Sequence, residues 1–159
     1  MYDSTEDTKK HAQRVMSILN EVVESLGTRA LVHDRSKLED PEKAIFDEFT
    51  PKLRDTTYGG EEYKGFLVEM KVALDHHYRE NRHHPEHFGD NGITEMSLID
   101  LLEMLADWKA AGERHADGSM AKSLVAQEKR FHISPELMKI LWNTVRELGW
   151  LHDDAQSRG

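Results

Sequence analysis

The sequence predicts an all-α protein, a single helical bundle of about six or seven helices. Apolar residues recur at three- and four-residue spacing along nearly the whole chain, which is typical of helices with one buried face. No segment alternates apolar and polar residues as a half-buried strand would. With 159 residues, the chain can bury a proper core. We expect one domain over residues 1–152 and a disordered tail over 153–159.

The first helix is predicted over residues 4–26. His11 shares one helix face with an apolar series, and we expect this face to turn inward. The series consists of Val15, Ile18, Leu19, Val22 and Leu26. Gly27 is expected to end the helix, because glycine is common just after a helix C-terminus.

Two further helices precede a long loop. Pro41 suits a first helical turn, so a short helix is predicted over 41–49, ended by Thr50 and Pro51 and followed by a loop over 51–60. A third helix is predicted from residue 61 to about residue 81. Proline and glycine from Pro85 onward then indicate a loop.

The second half of the chain continues the helical pattern. Ser97 can cap a helix over 97–115 that is apolar nearly all round and is therefore expected to be central. Further helices are predicted over 119–130 and over 134–148. Trp142 and Trp150 near the C-terminus suit either the core or a homodimer face, and we favour the core.

The amino-acid composition argues against several classes of function. The chain has no cysteine, which excludes disulfides, thiolate metal sites and a thiol nucleophile. Its formal net charge of −9 argues against binding duplex nucleic acid. No apolar run reaches the roughly 20 residues of a membrane span, and no signal peptide is evident, so we expect a cytoplasmic protein that does not bind membranes.

Histidine is the unusual residue. Five of the ten histidines lie between residues 76 and 87. Helical spacing places His77, rather than His76, on the face expected to be buried, and His83 and His84 follow at the helix end. An exposed metal-binding surface is the alternative, but these histidines follow a helix that looks buried.

Other candidate ligands lie outside this run. His33 and Asp34 stand in the string HDRSK, and Lys37, about one turn further on, can reach a phosphate oxygen or be a solvated lysine. In the central helix, Asp100 and Glu103 suit a solvated edge. Asp107 lies between Ala106 and Trp108 and is the better ligand candidate.

Histidines and carboxylates from separate helices can meet in the interior of a bundle and bind a metal ion. Without sulfur ligands, the set suits one or two ions of Mn, Fe, Co, Ni or Zn, and the sequence does not choose among them. The candidate ligands are His11, His33, Asp34, His77, His83, His84 and Asp107.

The order of these residues resembles the HD-domain superfamily of metal-dependent phosphohydrolases. HDRSK is similar to a form found in many members, and ADWKA (106–110) looks like the helix carrying their last aspartate. HHPEHF stands where the branch acting on cyclic dinucleotides has a Gly-Tyr-Pro signature. The pattern HDxSK…HHxxxNxHHPE…EMLxDW, from about residue 11 to 110, also resembles a small uncharacterised family common in phages and bacteria.

This resemblance implies an HD-like helical bundle that hydrolyses a phosphate ester of a nucleotide or another small metabolite, in the host cytoplasm if phage-encoded. His11, His33, Asp34 and Asp107 would hold one ion, and Asp34 could bridge to a second held by His77 and by His83 or His84. Substrate phosphate would contact Lys37, Arg82 and, more weakly, Lys109. Asn81 would orient substrate or water, and a histidine such as His84 would donate a proton.

The same ligand set is compatible with two other functions. Di-iron oxygenases of the superfamily use nearly the same ligands. A non-catalytic binding protein could keep a metal ion only for stability.

Overall fold

The computed structural model describes residues 2–56, 60–114 and 118–151. These residues form helices joined by turns, with no strand among them, which confirms the all-α prediction. Seven α-helices and two 3-10 helices lie along them, slightly more than predicted. The predicted tail, 153–159, and the end of the predicted helix 97–115 lie outside the described residues.

The chain divides into two compact units, Met1–His33 and Asp34–Gly159. The α-helices are α1 (Thr5–Val32), α2 (Glu42–Arg54), α3 (Glu61–Glu69), α4 (Lys71–Glu80), α5 (Leu98–Gly112), α6 (Met120–Phe131) and α7 (Pro135–Glu147). The 3-10 helices are Arg35–Leu38 and Pro85–Glu95. No helix in the described part of the chain has both the length and the apolar character needed to cross a membrane. The extent of the domain, 1–152, stays a prediction.

The first unit is built around α1, and it differs from the prediction in two ways. Gly27 does not end the helix, which continues to Val32. A glycine inside a helix lowers the stability of the helix by only about 1 kcal/mol relative to alanine. A helix of 28 residues can therefore continue through Gly27. In addition, none of the residues of α1 is buried, so most of the face expected to turn inward is exposed, including His11, while Leu26 is half-buried.

Two breaks in the second unit also differ from the prediction. Pro51 lies inside α2, which ends at Arg54 rather than at Thr50. The proline removes one backbone donor, and because only three helical residues follow it, the loss is confined to the helix end. The helix predicted over 61–81 is divided at Met70, whose ψ of 0° separates α3 from α4. Met70 is buried there.

The core of the second unit lies along α5, as the sequence predicts. Leu101, Met104, Leu105 and Trp108 of α5 are buried against residues of α6 and α7. These partners include Met120, Leu124, Met138, Leu141 and Val145. Trp142 and Trp150 pack against the same cluster, which supports the core reading of both tryptophans.

The start of α5 is fixed by a reciprocal cap. The Ser97 side chain accepts a hydrogen bond from the Asp100 backbone, and the Asp100 carboxylate accepts one from the Ser97 backbone at 2.8 Å. This confirms Ser97 as the cap. Asp100, however, is fully buried instead of lying on a solvated edge. Its carboxylate also accepts hydrogen bonds from the Arg82 guanidinium at 3.2 and 3.3 Å, which compensate for its burial.

We predict that Leu105→Ala destabilises the protein by about 2–5 kcal/mol, because truncating a buried leucine leaves a cavity. Leu105 is 1% exposed, whereas Leu98, on the same helix, is 73% exposed. Leu98→Ala, the matched control, should change the free energy of unfolding by less than about 0.5 kcal/mol. Urea unfolding measures both variants. Equal losses would contradict the placement of the core.

Candidate metal centre

Four side chains of the second unit converge on one point. Asp34, His77, His83 and His84 each offer a ligand atom, and these four atoms all lie within 4.8 Å of one another. His77 and His83 are each only 2% exposed, and Asp34 and His84 are half-buried. The histidines therefore do not form the exposed metal-binding surface that the sequence left as an alternative.

Local backbone turns bring these side chains together. Asp34 adopts a left-handed conformation, with φ of 55°, immediately before the 3-10 helix Arg35–Leu38. Aspartate tolerates this region better than most residues. His77 lies in the last turn of α4, and Asn81 ends that helix in an extended conformation. The chain can then turn back, so that His83 and His84 reach His77.

The ligand atoms lie at contact distance in the centre of the cluster. Asp34 Oδ1 is 3.2 Å from His77 Nε2 and 3.5 Å from His83 Nε2. His77 Nε2 is 2.9 Å from His84 Nε2. Two imidazole nitrogens this close repel each other unless one carries a proton or a cation lies beside both of them. The cluster is therefore a concentrated set of electron-pair donors.

Two carboxylates hold the far sides of the histidine rings. His77 Nδ1 donates a hydrogen bond to Glu42 Oε2 at 2.9 Å, and Glu42 is fully buried. His83 Nδ1 lies 3.3 Å from Glu103 Oε1. Donation through Nδ1 leaves the lone pair of Nε2 directed at the cluster, which is the arrangement around histidines that bind metals.

The sequence analysis did not identify these two carboxylates. Glu103 was expected on a solvated edge, but its side chain is only 13% exposed and faces His83. Glu42 is an ordinary acidic residue in the first turn of α2, and only the fold brings it to a histidine 35 positions later in the chain. Glu42 also accepts a hydrogen bond from His76 at 2.7 Å. His76 itself is outside the four-ligand cluster, as its helix position predicts.

A polar frame surrounds His77. The Asn81 side-chain amide donates hydrogen bonds of 2.8 Å to Ser36 Oγ and of 2.8 Å to the His77 carbonyl oxygen. These bonds tie the end of α4 to the 3-10 helix that follows Asp34. The amide of Asn81 thus holds the ring in place, and its predicted contact with substrate stays a prediction.

Asp34 and His84 have the protonation states that metal ligands need. Burial by itself raises the pKa of Asp34, but the close contacts with His77 and His83 and the Lys37 ammonium outweigh it, so the pKa lies well below its usual range. Burial, together with the neighbouring His83 and His77, lowers the pKa of His84 to about 3. Asp34 is therefore ionised and His84 neutral near pH 7, and these are the forms that bind metal ions.

The predicted phosphate-binding residues already contact acidic groups of the protein. Lys37 Nζ lies 2.6 Å from Asp34 Oδ2. Arg82 contacts the buried Asp100, and its side chain is 51% exposed. Lys109 lies 3.1 Å from Glu113. Of these three residues, Lys37 is the one described in contact with a carboxylate of the cluster.

The remaining predicted ligands differ in where they lie. Asp107 offers an oxygen within 4.8 Å of a ring nitrogen of His83, and its charge acts on His84. His33 is the residue that follows α1, directly before Asp34, and it is half-buried. His11 is exposed on α1. The assignments of His11, His33 and Asp107 as ligands stay predictions.

The chain belongs to a family of unknown function (DUF5662), whose sequence profile matches residues 1–147. The match covers the first unit, the second unit as far as residue 147, and every residue of the cluster. No curated protein and no solved structure matches the chain.

We predict that the metal-free protein loses stability as the pH falls from 7 to 5. Unfolded His84 takes up a proton near its ordinary pKa of 6.5, whereas the folded ring, with a pKa of about 3, stays neutral. The unfolded state thus binds more protons in this window, so acid favours unfolding. His84→Gln should reduce this loss by about 1–2 kcal/mol, measured by urea unfolding in a chelator at both pH values. Equal losses in the variant and the wild type would contradict the burial of His84.

Proposed function

We propose that the second unit binds a divalent transition-metal ion through Asp34, His77, His83 and His84. One observation carries this proposal: four ligand atoms lie within 4.8 Å of one another, and two of the histidines are almost fully buried. Lys37 compensates the Asp34 carboxylate at Oδ2, whereas Oδ1 faces the imidazole nitrogens, where a metal ion would supply the cation that these electron-pair donors need. Glu42 and Glu103, on the far sides of two rings, add the outer contacts that tune metal ligands.

The ligand set also limits which metal ions the site would bind. Three imidazoles and one carboxylate suit Mn, Fe, Co, Ni or Zn. A tetrahedral zinc ion would be saturated by four protein ligands, as in structural sites. An ion that prefers six ligands would keep two positions for water and substrate. We therefore favour a six-coordinate ion for a catalytic site, and a second ion stays a prediction.

We further propose that the protein is a metal-dependent phosphohydrolase acting on a nucleotide or another small phosphate ester. The motif resemblance to the HD superfamily supports this reaction, as does the position of Lys37 beside Asp34. The bound ion would lower the pKa of a water molecule and neutralise phosphate charge. Asp34, His77, His83 and His84 would hold the ion, so we assign His84 to the metal and not to proton donation.

Two cations would receive the phosphate. Lys37 Nζ contacts Asp34 Oδ2, the carboxylate oxygen other than the one that faces His77. A phosphate at the site would share this ammonium with Asp34. The half-exposed guanidinium of Arg82, which is held by Asp100, is the second candidate. Lys109 is a third, weaker candidate for phosphate binding. These local cations offset the acidic charge of the chain near the site.

We predict that Asp34→Asn abolishes both metal binding and phosphate release, because the neutral amide is a poor ligand beside three histidines. Asp47→Asn is the matched control, since Asp47 is an exposed residue of α2 that contacts only Lys43 among the ion pairs described. Elemental analysis of the purified proteins measures the metal. Release of inorganic phosphate from a panel of nucleotides and other small phosphate esters, with added divalent ions, measures the activity. Full metal content and activity in Asp34→Asn would contradict the proposal.

The same experiment separates the two parts of the proposal. Metal bound by the wild type without phosphate release from any nucleotide or other phosphate ester of the panel, together with unfolding on chelation, would overturn the hydrolase and favour a structural ion. Two bound irons with an oxygen-dependent optical spectrum would favour an oxygenase. Manganese or cobalt with phosphate release is the result that we expect.

We also predict that Glu42→Gln lowers metal affinity by about 10–100-fold, since the amide orients His77 without the charge that strengthens its nitrogen as a ligand. Glu48→Gln, at an exposed position of the same helix, is the control. A competition titration with a chromophoric chelator gives the affinities, and thermal unfolding in chelator shows whether the fold is intact. Unchanged affinity in a folded Glu42→Gln protein would contradict this role.

A further inference from the structure

One buried carboxylate contacts the rings of two adjacent histidines of α4. The Glu42 side chain, in the first turn of α2, is fully buried. Its Oε1 atom is 2.7 Å from His76 Nδ1, and its Oε2 atom is 2.9 Å from His77 Nδ1. Because a carboxylate only accepts hydrogen bonds, both rings donate to it. His76 is outside the four-ligand cluster, so binding an ion does not explain its contact with Glu42.

Two carboxylates lie at opposite ends of the His77 ring, and each can accept its hydrogen. A neutral imidazole carries one hydrogen, on either Nδ1 or Nε2. Glu42 Oε2 lies 2.9 Å from Nδ1, and Asp34 Oδ1 lies 3.2 Å from Nε2. With the hydrogen on Nδ1, the lone pair of Nε2 faces the cluster and can bind an ion. With the hydrogen on Nε2, Asp34 accepts it, and the ring cannot bind an ion through this atom.

The other polar neighbours of His77 Nδ1 do not select between these two tautomers. Asn81 Nδ2 lies 3.0 Å from this atom, and Ser36 Oγ lies 3.2 Å from it. The Asn81 amide already donates its two hydrogens to Ser36 Oγ and to the His77 carbonyl oxygen, each at 2.8 Å. The Ser36 hydroxyl can either donate to Nδ1 or accept from it. Of these three neighbours, Glu42 is therefore the one that keeps the hydrogen on Nδ1.

His76 holds the Glu42 carboxylate in the orientation that this requires. The hydrogen bond from His76 Nδ1 to Oε1 is the shorter of the two, at 2.7 Å. While it is made, the carboxylate cannot turn about its last bond, and Oε2 stays beside His77 Nδ1. Because Glu42 is fully buried, water does not replace a donor that is lost. The side chain of His76 is 24% exposed and forms the outer end of this series of contacts.

We propose that His76 is a positioning residue of the metal centre, which acts through Glu42 to keep the hydrogen of His77 on Nδ1 and so leaves Nε2 to bind the ion. This inference rests on the proposed metal site, but the tautomer of His77 can be measured without any metal. It gives the two adjacent histidines different tasks, since the first holds the carboxylate and the second holds the ion.

Nitrogen NMR of the full chain measures the tautomer, in a chelator and with isotopically labelled histidine. The spectra are recorded at about pH 8, above the ordinary pKa of imidazole. A ring nitrogen that carries a hydrogen and one that does not have clearly different chemical shifts. His77→Gln identifies the signals of His77, because they are missing from its spectrum. We expect the hydrogen of His77 on Nδ1 in the wild type, and a hydrogen on Nε2 would overturn the proposal.

Two variants of the same shape test the role of His76. His76→Asn keeps a donor in place, because its amide nitrogen, like Nδ1, is bonded to Cγ, whereas His76→Leu has no polar atom there. His76→Leu should move the hydrogen of His77 to Nε2 in most molecules and weaken metal binding by about 10-fold, as expected if about one molecule in ten keeps the competent ring. His76→Asn should keep the wild-type tautomer and affinity. Competition with a chromophoric chelator gives the affinities.

The comparison separates this role from a merely structural one. Leucine is the better helix former, so a general loss of helix stability would affect His76→Asn more than His76→Leu. Equal losses of affinity in both variants, or a His76→Leu protein whose His77 hydrogen stays on Nδ1, would overturn the proposal. His76→Ala is the second donor-free variant, to be used if His76→Leu does not fold. A wild type that binds no ion would contradict the metal site, and the tautomers would still show whether His76 orients His77.

Discussion

Three imidazole rings and one carboxylate meet in the interior of the second unit, and most of its local structure serves to hold them together. The left-handed turn at Asp34 and the extended residue Asn81 bring distant ligands to one place. Glu42 then holds one ring from behind, and Glu103 lies behind a second. Lys37 offsets only one oxygen of Asp34, and the imidazole nitrogens beside the other oxygen are close electron-pair donors, which is why we regard the second unit as the scaffold of a metal site.

The packed core explains how such a polar cluster is kept in place. Helix α5 buries Met104 and Leu105 in the main apolar cluster, while Glu103, between Leu101 and Leu105 on the same helix, faces His83. One helix thus joins the apolar core to the outer carboxylate of the site. The buried Asp100 adds a second link, because it caps α5 and receives hydrogen bonds from Arg82, the residue just before His83.

The sequence predicted those parts of the structure that depend on local pattern. Periodicity identified the helices and the central position of α5, and the helix face of His77 distinguished it from His76. The helix ends predicted from Gly27 and Pro51 were wrong, and the helix predicted over 61–81 is divided at Met70. A single residue type only shifts the tendency to form a helix, and neighbouring residues can override it. Glu42 could not be predicted, because its contact with His77 joins residues 35 positions apart and leaves no periodic signal. Asp100 and Glu103 were misplaced for a related reason, as their partners Arg82 and His83 lie outside α5.

The proposed centre is tested most directly by the position of the ion itself. Crystals of the wild-type protein grown with manganese should be measured at an X-ray wavelength where manganese scatters anomalously. We expect one anomalous peak at bonding distance from a carboxylate oxygen of Asp34 and from the Nε2 atoms of His77, His83 and His84. A peak only at other histidines, such as His76 or His87, or no peak in a protein saturated with manganese, would contradict the metal centre.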